Sequence, residues 1–293
     1  MYQTAQKHYE NVVNEALQMY LSKGGIVEPL LSSMHYGVFA GGKRLRPALT
    51  LATCEMLHGD IRRALPFACG VEMIHAYSLI HDDLPAMDND ILRRGKPTNH
   101  IVYGEGQAIL AGDGLLSYAF EIMLDACAKY KEPHIINAAL AVARGAGVFG
   151  MVAGQCLDLE NEGSHRPSTE TLHAIHQGKT AAMIQAAVEA GAYTANANEA
   201  QRNAFSLFGK KYGLLFQITD DILDETGDEK NFGKSIGKDK RASKLTFVTV
   251  YGLEEAKRSA RRAADEAREA LAFFGQDASY FNALIDRTLT RNK

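Results

Sequence analysis

Residues 66–81 read PFACGVEMIHAYSLIH, and residues 82–90 continue as DDLPAMDND. The first stretch is apolar on almost every face, which predicts a helix buried on all sides rather than an amphipathic surface helix. It delivers Asp82 and Asp83 from inside the protein. Pro85 disfavours helix at its own position and at the residue before it, so the helix is predicted to end or distort near Asp83. Asp82 and Asp88 lie on different faces of an ideal helix, and only a chain that turns back at Pro85 brings Asp88 toward Asp82. Burying carboxylates is costly unless cations are supplied.

The pattern recurs. Residues 214–224 read LLFQITDDILD, again an apolar helix ending in aspartates. Asp220 and Asp224 are four apart and Asp221 and Asp224 three apart, so one helical face carries several oxygen ligands. With no nearby cysteine and no HExxH pattern, oxygen-only ligation points to a hard cation, Mg²⁺ first. A helix end with solvated acids accounts equally well for either cluster alone. The cationic segments tip the balance toward a metal–diphosphate site. Gly41-Gly42-Lys43-Arg44-Leu45-Arg46-Pro47 is a basic turn opening into a helix and suited to wrapping an anion. Arg93-Arg94-Gly95-Lys96-Pro97 follows the first aspartates, Lys179-Thr180 sits inside an expected helix, and Gly233-Lys234, Asp239 and Lys244 trail the second cluster. Arg44 reads as a surface charge.

The 293 residues are 46% hydrophobic and 23% charged, which excludes a disordered chain. The 35 acidic and 32 basic side chains leave no global drive toward nucleic acid or an anionic membrane. Length alone suggests about two domains of roughly 150 residues. No linker or charge run divides the chain, however, and a single all-α domain over 1–293 is expected. Helices are predicted over Tyr9–Leu21, Pro66–His81, Glu105–Ala128, Pro133–Val152, Ser168–Ala192, Ala200–Leu223 and Leu253–Phe274. Prolines 29, 47, 66, 133 and 167 mark helix starts or stops. The run LTFVTVY, residues 245–251, is a strand by propensity, but it has no partner strand and is assigned to helix. Four cysteines without a CxxC pair read as buried free thiols in a reducing, cytoplasmic setting. No stretch approaches a membrane helix, so no membrane insertion is expected.

Taken together, GGKRLRP, HDDLPAMD with LRRGKPTNH, AGDGLL, GQCLDLE, GKT and FQITDDILD resemble, in that order, the motifs of the trans-isoprenyl diphosphate synthases. The likeness spans about 41–244. The Leu84-Pro85 insertion in the first motif is similar to bacterial-type farnesyl and plant-type geranylgeranyl diphosphate synthases. Ile91 departs from it, since relatives often carry another aspartate there.

The resemblance implies a large helical bundle of the isoprenoid synthase type with a central cavity. It also implies condensation of isopentenyl diphosphate with dimethylallyl or geranyl diphosphate, most like a bacterial farnesyl diphosphate synthase. A geranylgeranyl synthase is the runner-up, followed by a non-catalytic partner subunit. By carry-over, Asp82, Asp88 and Asp158 hold two Mg²⁺ ions, and Asp220 with Asp239 holds a third, about three in all with Mn²⁺ as an alternative. Asp83, Asp221 and Asp224 support them from behind. Arg93, Lys179, Lys234 and Lys244 clamp the allylic diphosphate, and Lys43, Arg46, His75 and Arg94 hold isopentenyl diphosphate. Lys179, Thr180 and Gln217 surround the reacting carbon. Tyr77, with Ser78 beside it, forms a floor that limits chain length. A homodimer is implied as well, with no nucleic-acid partner.

Overall fold

The apolar run from Pro66 belongs to a longer helix than its composition suggests. The computed structural model describes residues 2–162, 168–226 and 245–291, so Pro167, Lys234, Asp239 and Lys244 lie outside the described residues. Within them α4 spans Ile61–Asp82 and takes Pro66 into its interior. Its start is set by Asp60, whose carboxylate accepts the Arg62 backbone N–H at 3.0 Å. Phe67, Cys69, Val71, Met73 and Ile74 are fully buried.

Around this axis the chain is almost wholly helical. Before α4 come α1 (Tyr2–Leu21), α2 (Leu30–Val38) and α3 (Leu45–Met56). After it come α5 (Asn99–Tyr103), α6 (Glu105–Tyr130), α7 (Pro133–Ala146) and α8 (Met151–Glu160). Next are α9 (Thr169–Ile175), a π-helical turn over His176–Ala181, α10 (Ala182–Thr194) and α11 (Glu199–Thr226). The chain ends with α12 (Phe247–Tyr251), α13 (Leu253–Ala270), a 3₁₀ segment and α14 (Ser279–Thr290). Helix α4 packs on α3, α6 and α10; α11 packs between α10 and α13. Phe205, Phe208, Tyr212 and Phe281 stack or meet edge-on where α11 meets α14. The sheet content of the described residues is one hairpin, Leu92–Arg93 paired with Lys96–Pro97.

Several boundaries depart from the sequence reading for local reasons. The expected helix over 133–152 breaks at Gly147–Gly150, between α7 and α8. The stretch Pro133–Glu160 does hold an 18-residue window of mean hydropathy 1.7, long and apolar enough by composition to cross a membrane, which corrects the reading that none approaches it. Half of that window is buried inside this fold, as in core helices. The run 245–251 is helical from Phe247, because Thr246 and Thr249 exchange side-chain bonds to each other's backbone N–H at 3.1 and 2.9 Å. That reciprocal cap outweighs β-propensity. Three cysteines are buried, but Cys156 is exposed.

Candidate active site

Helix α4 ends at Asp82 with Asp83 as its C-cap, and the loop after it curls back on itself. The Asp88 N–H donates to the Asp82 carbonyl at 2.8 Å, and the Asp90 N–H to that of Asp83 at 3.1 Å. Asp88 therefore returns beside Asp82, as the proline suggested. The next turn, Arg94-Gly95, has φ of +53° and +76°, a hairpin turn that sends successive arginines apart. Arg93 turns inward and grips Asp83 through Nε at 2.7 and 2.9 Å and a terminal nitrogen at 2.5 Å. Burial lowers the Arg93 pKa, but the bond to Asp83 and the charges of Asp83, Asp82 and Asp88 outweigh it and raise it. Arg94 reaches the other way and donates to the Gly41 carbonyl.

The second cluster is split in the same manner. Asp221 is buried: Oδ1 accepts from Gln217 Nε2 at 2.9 Å and Oδ2 from the Phe247 N–H at 2.7 Å. His176 Nε2 lies 3.5 Å from the same oxygen, and its ring stacks on Phe247 at 5.2 Å. Burial, with His173 and Lys179 nearby, holds the His176 pKa down at about 3 despite the opposing pull of Asp158. Asp220 instead faces outward, ion-paired with Arg291, whose guanidinium lies 4.6 Å over the Phe216 ring. Asp224 is half-buried on the same face.

What brings the two clusters together is the π-helical turn. Gly154 of α8 and Gly178 of the turn touch so closely that a Cβ on Gly154 would lie 2.0 Å from the Lys179 backbone nitrogen. This crossing delivers Lys179 to Asp158 at 2.7 Å and to within 4.0 Å of Asp82. Gln155 Nε2 adds a bond to Asp82 Oδ1 at 2.7 Å. Thr180, next in the turn, donates to Gln217 Oε1 at 2.7 Å.

Between α4 and α8 lies a cavity of about 430 Å³. Arg46, His75, Asp82, Lys179 and Thr180 line one part, and Tyr77, Met87, Met151, Val152 and Leu159 the apolar remainder, with Ser78 and Cys156. Arg46 has a buried Nε with no hydrogen-bond partner among the described residues, an unspent donor that suits an anion. Burial lowers the Arg46 pKa against the pull of Glu72 and Asp220. Burial and then Arg46 and Arg94 hold the His75 pKa well below its usual range, so His75 is neutral. Lys43 stands outside this cavity, with its pKa lowered by burial and by Arg291 and Arg287.

Among the described residues no three carboxylate, thiol or imidazole groups converge enough to hold an ion alone. The carboxylates present still suit Mg²⁺, which takes one or two of them and completes its shell with water and substrate phosphate. The Lys179 ammonium between Asp158 and Asp82 marks where positive charge is already accepted. Gln155, His176 and Arg291 are site residues that sequence reasoning missed. Gln155 lies within a quoted motif, whereas nothing around Arg291 announces it.

The polyprenyl synthetase family model matches residues 27–272. A geranylgeranyl diphosphate synthase of Cyanophora paradoxa is 44% identical over 283 residues, 97% of this chain and 94% of that protein. A chloroplastic geranylgeranyl pyrophosphate synthase of Capsicum annuum is 45% identical over 87% of this chain and 69% of its own. Among solved structures, an apo FPP/GFPP synthase from Zymomonas mobilis superposes with a TM-score of 0.86 at 35% identity, covering 99% of this chain and 100% of that one. A geranyltransferase from Legionella pneumophila gives 0.88 at 32% identity, covering 99% and 98%. With the fold, the order of motifs and these relatives in agreement, the chain belongs to the polyprenyl synthetase family and elongates prenyl chains.

Proposed function

We propose that the chain condenses isopentenyl diphosphate with an allylic diphosphate and that geranylgeranyl diphosphate is its end product. The observation that carries the condensation is the single cavity in which Arg46, His75, Asp82 and Lys179 meet an apolar lining. Asp82, Asp88 and Asp158 would hold Mg²⁺ on one side and Asp220 on the other, with about three ions expected. A metal held there would neutralise charge on the departing diphosphate.

The chain's own groups do the rest. Lys179 places an ammonium where the diphosphate leaves, and Arg46 and neutral His75 offer donors to the second substrate. Thr180 gives its hydroxyl proton to Gln217, so its lone pairs are what the cavity presents to a developing allylic cation. Gln217 is held in that orientation by Asp221. The double bond of isopentenyl diphosphate attacks the cation, and the released diphosphate takes the proton that is then lost. The apolar lining keeps water from the cation.

For chain length, the names of the relatives favour the geranylgeranyl product over the farnesyl product first expected. The lining also includes apolar side chains of α8, Met151, Val152 and Leu159, beside Tyr77. The farnesyl reading keeps one supporting observation, the buried Tyr77 ring in the lining, 5.6 Å from His81. The exposed apolar side chains Ile101, Val102, Ile109, Leu110 and Leu124 on α5 and α6 support pairing with a second copy. Purified protein given isopentenyl and dimethylallyl diphosphates with Mg²⁺ should release diphosphate and yield geranylgeranyl product. Farnesyl diphosphate as the sole end product would overturn the length assignment, and no release with any allylic primer would overturn the activity.

A further inference from the structure

Arg44, read from sequence as a surface charge, is 5% exposed at its side chain, and so is its partner Glu72 at 4%. All three arms of the guanidinium are committed inside the protein. Nε donates to Asn14 Oδ1 of α1 at 2.9 Å, one terminal nitrogen to Glu72 Oε1 of α4 at 2.7 Å, and the other to the Val38 carbonyl of α2 at 2.8 Å. Its backbone is left-handed, with φ 47° and ψ 40°, a conformation that a non-glycine residue adopts only when its surroundings enforce it. Its two basic neighbours behave differently. Lys43 stands outside the cavity, and Arg46 lines it with Nε unpartnered.

Glu72 lies one helical turn before His75 on α4, so the ion pair adjoins the groups that Arg46 and His75 present to the cavity. Arg44 caps the start of α3 and Arg46 lies two residues on in its first turn, so the position of Arg46 depends on where Arg44 is anchored. A buried ion pair is weak evidence of stability for its own sake, because apolar residues of similar volume often replace one without loss. Position is the better account of it here.

We propose that Arg44 and Glu72 are a positioning pair for isopentenyl diphosphate: they fasten the start of α3 to α1, α2 and α4 so that Arg46 enters the cavity beside His75. This rests on the reading of Arg46 and His75 as the donors to that substrate. Arg44 and Glu72 touch no reacting atom themselves.

Three variants test it in steady-state assays, with isopentenyl diphosphate varied at saturating dimethylallyl diphosphate and then the reverse. Arg44→Met/Glu72→Leu should keep a thermal midpoint near that of the wild type and raise KM for isopentenyl diphosphate at least tenfold, leaving KM for dimethylallyl diphosphate within twofold. Asn14→Ala removes one anchor from α1 and keeps the test alive if the double variant does not fold; it should raise the same KM severalfold. Arg46→Ala is the control for the underlying reading. An unchanged KM for isopentenyl diphosphate in Arg46→Ala overturns that reading. A raised KM there, with the other two variants either unchanged or raising both KM values together, overturns the positioning pair alone.

Discussion

Gly154→Ala should disable the enzyme through geometry rather than chemistry. The added Cβ would lie 2.0 Å from the Lys179 backbone nitrogen and 2.5 Å from the Gly178 carbonyl carbon. Both obstacles are backbone, so no rotamer change relieves them. Restoring the 3.4 Å of ordinary contact requires α8 and the π-helical turn to part by about 1.4 Å. The same movement carries Asp158 away from Lys179, now 2.7 Å apart, and out of hydrogen-bond range. Overpacking of this kind costs about 1–3 kcal/mol of stability. Misplacing catalytic groups by about 1 Å costs on the order of 10²-fold in rate. The assay is Mg²⁺-dependent diphosphate release together with a thermal melt. The variant should stay folded, melt several degrees lower and lose about two orders of magnitude in kcat. Wild-type kcat in a folded Ala variant would refute the idea that this contact sets the Asp158–Lys179 geometry.

Tyr77→Ala should move the product distribution upward by at least one isoprene unit, because the ring lies in the cavity lining; an unchanged distribution by chromatography means that the chain runs past the ring along α8. Removing the guanidinium in Arg291→Ala takes one ion pair from Asp220 and should lower the half-saturating Mg²⁺ concentration, while stability changes by about 1 kcal/mol. A thiol reagent at pH 8 should modify one cysteine per native chain, Cys156, and all four after unfolding. Burial pushes the Cys54 thiol up to about 11 from an ordinary 9.0. Its contribution to stability is therefore complete below pH 9 and is lost as pH rises toward 11, since only the unfolded chain gives up the proton there. Denaturation midpoints measured across that range check the sign.

Much of this was legible in the sequence because it depends on local rules. The all-round apolarity of 66–81 announced a central helix, and Pro85 announced where it fails. The spacing of Asp220 and Asp224 marked one partly exposed helical face, whereas Asp221 is buried. What was hidden depends on packing. The π-helical turn at His176–Ala181 follows from the Gly154–Gly178 crossing, and no residue within the turn encodes it alone. Arg44 looked like solvent-facing charge because its acceptors come from α1, α2 and α4, as far as 30 residues away in the chain. The helix at 247–251 was a close contest between β-branched side chains and the Thr246–Thr249 cap, and a cap is worth about as much as the propensities it opposes.

The two aspartate doublets share a division of labour that follows from helix geometry. Adjacent residues on an α-helix point about 100° apart, so a doublet on a helix does not aim both carboxylates the same way. Asp82 faces the Lys179 ammonium and the Gln155 amide, and Asp220 faces Arg291. Asp83 and Asp221 face the protein. Asp83 is held by Arg93, and Asp221 by Gln217 and the Phe247 N–H. The inner member ties its helix to a later segment of chain, the hairpin in one case and α12 in the other, and so limits where its outer neighbour can move. Replacing an inner aspartate with asparagine should loosen the outer carboxylate without removing it. The repeated DD is thus explained without requiring both residues of either pair to bind metal.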